Sequence, residues 1–180
     1  MIPTEDQAKA LWDKYALPEK KRLHVTLVTR VALFLARKSV EAGVVTDINI
    51  PLLRAAALLH DIDKAIPRLL GEQHPDTAVR VLREEEMSEV AEVVRRHPLH
   101  AIVDPTIAPR TPEEKILYLA DKMVKFEILT VDKRFQLWRD EQLPREAVEM
   151  LDACYPKVKE LEKQILGSIG VLPQEVTSLA

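Results

Sequence analysis

His60 and Asp61 stand side by side in Leu58-Leu59-His60-Asp61-Ile62-Asp63-Lys64, an imidazole and a carboxylate that can serve one metal ion together. His24 lies upstream, His74 and His97 lie downstream, and Asp121 follows in an otherwise apolar stretch. Four of the five histidines thus form one ordered series: His, His-Asp, His, His, Asp. Such donors suit a divalent Fe, Mn, Zn, Ni, Co or Mg ion rather than a thiolate site, and the single cysteine, Cys154, takes no evident part. A carboxylate buried without a partner is costly or gives up its charge, so Asp61 and Asp121 each call for a cation, a hydrogen-bond network or a proton. His24, His60, Asp61 and Asp121 can be collected by one ion, with positions left for water. If a second ion binds, Asp61 is its natural bridge, and His74 and His97 hold it. If only one binds, those two histidines face the substrate. Each residue also has a plainer reading, because a lone histidine on an apolar face is more often core and an aspartate can cap a turn. That reading must be invoked separately four times, and the joint placement favours a metal.

These residues need elements that turn them inward. The 180-residue chain is 47% hydrophobic and 31% charged, which fits one soluble domain over 1–180 with a substantial core. Four glycines against twelve prolines favour helices joined by proline-marked breaks, hence an all-α bundle of about seven to nine helices. Helices are expected from Thr4 to about Tyr15 and from Pro18 to about Ala42. On the second, Val28, Val31 and Leu35 share a stripe with His24. A helix from about Pro51, apolar nearly all round and therefore central, is closed by His60-Asp61. One helix follows His74-Pro75-Asp76, and another is capped by Ser88 and ends at His97-Pro98. Residues 98–110 read as a loop. Thr111-Pro112-Glu113-Glu114 has the form of a capping box, opening a helix with Leu117, Asp121, Val124 and Ile128 on one face. The chain beyond Asp132 is less informative. Pro144 opens a helix that Pro156 kinks or restarts, and the tail from Pro173 reads as loose.

The net charge of −3 gives no basic excess for a nucleic-acid duplex. No apolar run reaches a membrane span, and residues 1–6 do not read as a signal peptide. A cytoplasmic protein, monomer or homodimer, is expected.

Taken together, His24 before a valine-rich helix, Ala57-Leu58-Leu59-His60-Asp61-Ile62-Asp63-Lys64, and Ile116-Leu117-Tyr118-Leu119-Ala120-Asp121-Lys122 resemble the HD-domain superfamily of metal-dependent phosphohydrolases. The match covers roughly residues 20–130, leaving 135–180 as a C-terminal helical extension. His74 in Gln73-His74-Pro75 and His97 in Arg96-His97-Pro98 look like the YqeK-type branch, whose members cleave diadenosine tetraphosphate symmetrically with iron or another divalent metal. Asp63 departs from the glycine many relatives carry, and the 98–110 loop is longer than the resemblance to that branch implies. The resemblance implies a small anionic nucleotide-like substrate, attacked at phosphorus by metal-activated water. Asp61 and Lys64 would be catalytic, Lys64 touching a substrate phosphate or the leaving oxygen, with Arg96, Lys122 and Lys125 as further phosphate contacts. A di-iron oxygenase or a non-catalytic signalling module on the same scaffold are the alternatives.

Overall fold

The computed structural model describes residues 1–179. The described residues are all-α: α1 (Glu5–Lys14), α2 (Glu19–Glu41), α3 (Ile50–Leu59), α4 (Asp76–Glu84), α5 (Ser88–Arg95), α6 (Pro112–Lys122), α7 (Val131–Arg139), α8 (Arg145–Ile169) and α9 (Pro173–Thr177). Two 3-10 turns, Ile62–Ala65 and Leu99–Val103, follow α3 and α5.

The most apolar helix sits at the centre. Leu53 and Ala55 to Leu59 of α3 are all buried, and α3 packs against α1, α2, α5 and α6. Its C-terminal turn is held from outside, since Trp12 on α1 donates its indole N–H to Leu58 O at 2.8 Å. That bond satisfies a carbonyl near the helix end while the ring fills the core. On α2, His24 joins Val25, Val28, Val31, Ala32 and Leu35 on the buried side. A single apolar cluster runs from Ala8 to Val176.

Several boundaries differ from the sequence reading. The α6 helix stops at Lys122, so Val124 and Ile128 lie beyond it and pair across a short bridge instead of extending its stripe. Ser88 is the first helical residue of α5 and Met87 occupies the cap. Residues 98–110 are not simply loop, because the 3-10 turn Leu99–Val103 packs on α8. Pro156 neither breaks nor restarts α8. It faces solvent, as does Asp152, whose carbonyl loses its helical donor. Water can take that carbonyl, and burial of Leu151, Cys154, Val158, Leu161 and Leu166 outweighs the loss. Val148, one turn before Leu151, is partly exposed. The tail forms α9, with Val176 buried.

The helix α7 was not anticipated. Thr130 caps it, accepting from Lys133 N at 3.2 Å, and Val131, Phe135 and Trp138 recur at spacings of four and three. That pattern is legible in the sequence among the charges that mask it.

At the start of α6 the capping box forms as expected, with Thr111 and Glu114 satisfying each other's backbone N–H groups. Because α6 carries Asp121, Thr111→Ala is expected to lower stability by about 1 kcal/mol. Denaturant unfolding checks this: the midpoint falls while the slope stays as in the wild type.

Candidate metal centre

The site is assembled from helix ends. His60 follows the last residue of α3, His97 follows α5 by two residues, and Asp121 lies in the last turn of α6. His60 Nδ1 lies 2.9 Å from Ala57 O and His97 Nδ1 lies 2.6 Å from Val94 O, each three residues back in its own helix. The same local device operates twice, with the ring N–H donating to a carbonyl in the last turn of its helix; Val94 O accepts the His97 backbone N–H as well, at 3.2 Å. His24, on the first turns of α2, places Nδ1 3.0 Å from Lys125 O. His74, just before α4, places Nδ1 2.8 Å from Asp63 Oδ2.

A carbonyl oxygen can only accept, so His24, His60 and His97 carry hydrogen on Nδ1 and turn Nε2 to the interior. There His24 Nε2 and His60 Nε2 lie 3.3 Å apart, with Asp121 Oδ1 3.1 Å from the first and 3.5 Å from the second. Asp61 Oδ2 is 3.9 Å from His24 Nε2. Farther along, His74 Nε2 and His97 Nε2 approach to 2.9 Å, and Asp61 Oδ1 is 3.7 Å from His74 Nε2. The two oxygens of Asp61 thus divide between the two histidine pairs. The four rings form an edge-to-face file, His24, His60, His97, His74, with centroids 5.3, 4.9 and 4.8 Å apart.

Bare imidazole lone pairs at such distances repel unless a proton or a metal cation lies between them. Ligand nitrogens about 2.1 Å from one ion stand about 3.0–3.4 Å apart for right-angled or tetrahedral arrangement, which the His24, His60 and Asp121 separations approximate. These residues fit a divalent ion by donor chemistry, spacing and orientation, each ring being fixed through its other nitrogen. The ends of α3, α5 and α6 also bring partial negative charge to the centre.

Lysine ammonium groups also stand against the two carboxylates. Lys21 Nζ is 2.8 Å and Lys64 Nζ 3.2 Å from the Asp61 carboxylate, while Lys122 Nζ is 2.6 Å from Asp121 Oδ2. Burial pushes the Asp61 carboxyl up, but His60, Lys64 and Lys21 together outweigh it and hold it far below the usual range. Burial likewise opposes ionisation of Asp121, and Lys122, His24 and His60 overcome it. His60 is raised even though burial works against its charged form, because Asp121 and Asp61 favour the proton. His97 goes the other way, lowered by burial and by the neighbouring His60 and His74. The Asp61 and Asp121 carboxylates thus favour positive charge at His60.

Of the residues singled out in the sequence, His24, Asp61, Lys64, His74, His97, Asp121, Lys122 and Lys125 line one cleft of about 380 Å³. His60 lies behind it, fully buried. Arg96 is not in it. Its guanidinium pairs with Glu114 (3.1 Å) and donates to Ala108 O (3.2 Å), tying residues 98–110 to α6, so its phosphate role is corrected to a structural one. Lys122 is 1% exposed and spends its ammonium on Asp121 and on His97 O at 2.6 Å, which corrects its reading as a free phosphate contact. Lys125 reaches Glu141 at 3.2 Å. The sequence reading missed Lys21, three residues before His24 and so on the same helical face, and His100. It also missed the far wall of Phe126, Arg134 and Trp138, where the guanidinium of Arg134 lies 3.8 Å from the Trp138 ring centre.

A family model for the HD domain matches residues 24–124, from the first histidine of the series to just past its last aspartate. The chain belongs to the HD-domain family. Membership supports a hydrolase of the metal-dependent phosphohydrolase kind, and HD domains bind divalent metals at such histidine and aspartate groups. Searches among characterised proteins and among solved structures gave no match. Among the described residues no helix is long and apolar enough to cross a membrane.

Adding Mn or Zn to metal-free HD-domain protein is expected to raise its melting temperature, since a ligand that binds only the folded state stabilises it. Asp121→Ala is expected to abolish the rise. Because His60 holds its proton above its ordinary value of 6.5, metal must displace that proton. Affinity should therefore fall as the pH drops below neutral, and titration calorimetry in buffers of different ionisation enthalpy should show proton release. A pH-independent affinity would contradict this.

Proposed function

We propose that this HD-domain protein cleaves a phosphoanhydride or phosphoester of a nucleotide, with dinucleoside polyphosphates among the first substrates to try. The observation that carries the reading is one carboxylate, Asp61, set between two pairs of inward-turned imidazoles in a cleft that lysines, Phe126 and Trp138 also line. A divalent ion held by His24, His60, Asp61 and Asp121 supplies Lewis-acid charge and acidifies coordinated water. The split of the Asp61 oxygens supports a second ion on His74 and His97. Iron or manganese suits the mixed imidazole and carboxylate set.

The chain's own groups then have defined tasks. Lys21 and Lys64 carry side chains 36% and 25% exposed, with their ammonium ends on Asp61. With Asp61 engaged as a metal ligand, both ammonium groups would be able to turn to phosphate oxygens. There they bind substrate and stabilise charge that builds on the transferred phosphoryl group. The exposed Phe126 and the partly buried Trp138 offer apolar faces to a base. Beside them Arg134 has one buried guanidinium nitrogen, Nη1, with no hydrogen-bond partner among the described residues. A guanidinium stacked on an aromatic ring suits an anion that carries a planar group.

The test is phosphate or nucleotide release from dinucleoside polyphosphates, deoxynucleotides and nucleoside monophosphates, with pyrophosphate as a substrate lacking a base. Asp61→Ala is expected to lower turnover by about a hundredfold or more with the helical circular dichroism unchanged. Trp138→Ala is expected to raise KM for the nucleotide about tenfold while leaving pyrophosphate unaffected, the size of one lost base–aromatic stack. Full activity in Asp61→Ala, or oxygen uptake without phosphate release, overturns the reading.

A further inference from the structure

Three of the four histidines at the centre satisfy Nδ1 with a backbone carbonyl, and His74 alone uses a side chain. His60 and His97 sit at the ends of their own helices and find a carbonyl three residues back. His74 precedes α4, so no helix behind it presents a carbonyl at that spacing. The acceptor comes instead from the 3-10 turn after α3, where Asp63 Oδ2 stands 2.8 Å from His74 Nδ1. The Asp63 side chain is 2% exposed, and its other oxygen, Oδ1, is buried with no hydrogen-bond partner among the described residues. Leaving a buried carboxylate oxygen unpaired is unfavourable. The position is therefore poor as a mere filler of space, and the contact with His74 is what the carboxylate gains there.

We propose that Asp63 is the positioning residue for His74. Its carboxylate takes the Nδ1 hydrogen, fixes the ring, and leaves Nε2 facing His97 and Asp61 as a stronger donor to a cation than a carbonyl-backed imidazole would be. The proposal rests on the reading of His74 as a cation ligand given above. Asp63 acts through His74 and touches neither substrate nor ion.

Long-range proton–nitrogen NMR of 15N-histidine-labelled protein, metal-free at mildly alkaline pH and then titrated with zinc, tests both parts separately. Zinc is the probe because it is diamagnetic. In the wild type, His74 is expected to hold its hydrogen on Nδ1 and to shift at Nε2 as zinc is added. In Asp63→Leu, the tautomers should mix, and zinc affinity at His74 should fall by about 10–100-fold, while the resonances of His24 and His60 respond as before. Asp63→Asn keeps an oxygen acceptor and should restore the wild-type tautomer and most of the affinity. An unchanged His74 tautomer in Asp63→Leu overturns the role of Asp63. Loss of affinity in Asp63→Asn as deep as in Asp63→Leu overturns it in favour of direct ligation by the carboxylate. A wild-type His74 that ignores zinc overturns the ligand reading itself, whatever Asp63 does to the tautomer. If Asp63→Leu does not fold, Asp63→Asn and the wild type still decide between these outcomes.

Discussion

A carboxylate cannot stay ionised inside an apolar bundle without positive charge beside it, and this chain gathers three at one place, Asp61 and Asp63 buried and Asp121 mostly so. Asp61 closes the most apolar helix and Asp121 ends another that is buried nearly throughout. Around them the fold arranges Lys21, Lys64, Lys122 and His60 as countercharges. Much of the local architecture follows from this requirement. Lys122 is drawn fully inside because Asp121 and the His97 carbonyl together accept from its ammonium, with the Tyr118 ring beneath. The helix ends that meet here add negative potential of their own, which deepens the demand for a cation.

The imidazoles meet that demand only because each is oriented from behind. A histidine free to rotate offers either nitrogen, and two such rings at 3 Å would turn away from each other. His60 and His97 are oriented by carbonyls at the ends of their own helices, and the second lone pair of Val94 O lets it take the His97 ring N–H beside the backbone N–H. The price is paid at Nε2, where lone pairs crowd together and wait for positive charge. A metal centre can thus be prepared by ordinary helix termination, without a dedicated loop.

What could be read in the sequence and what could not follows from this physics. The ligand series was legible because His24, His60, Asp61 and Asp121 are polar groups on apolar stripes, which a pattern exposes. The capping box at Thr111 was legible because it is local. Arg96 was misplaced because a guanidinium next to His97 looks the same in sequence whether it points into a cleft or clamps a loop to Glu114. Lys21 was passed over because a lysine on a helix defaults to solvent, and only the fold brings it to Asp61, forty residues away. The helix α7 was hidden by charges, although Val131, Phe135 and Trp138 mark its buried face. The continuity of α8 through Pro156 depends on burial across its other face, a tertiary effect no local rule contains.

The stretch that matches the family ends at residue 124, and the wall formed by Phe126, Arg134 and Trp138 begins just after it. The groups suited to an ion and those opposite them thus occupy consecutive blocks of chain, joined across the short Val124–Ile128 bridge. That segment, α7 included, can therefore be exchanged as a cassette while the block of histidines and aspartates that precedes it is inherited intact.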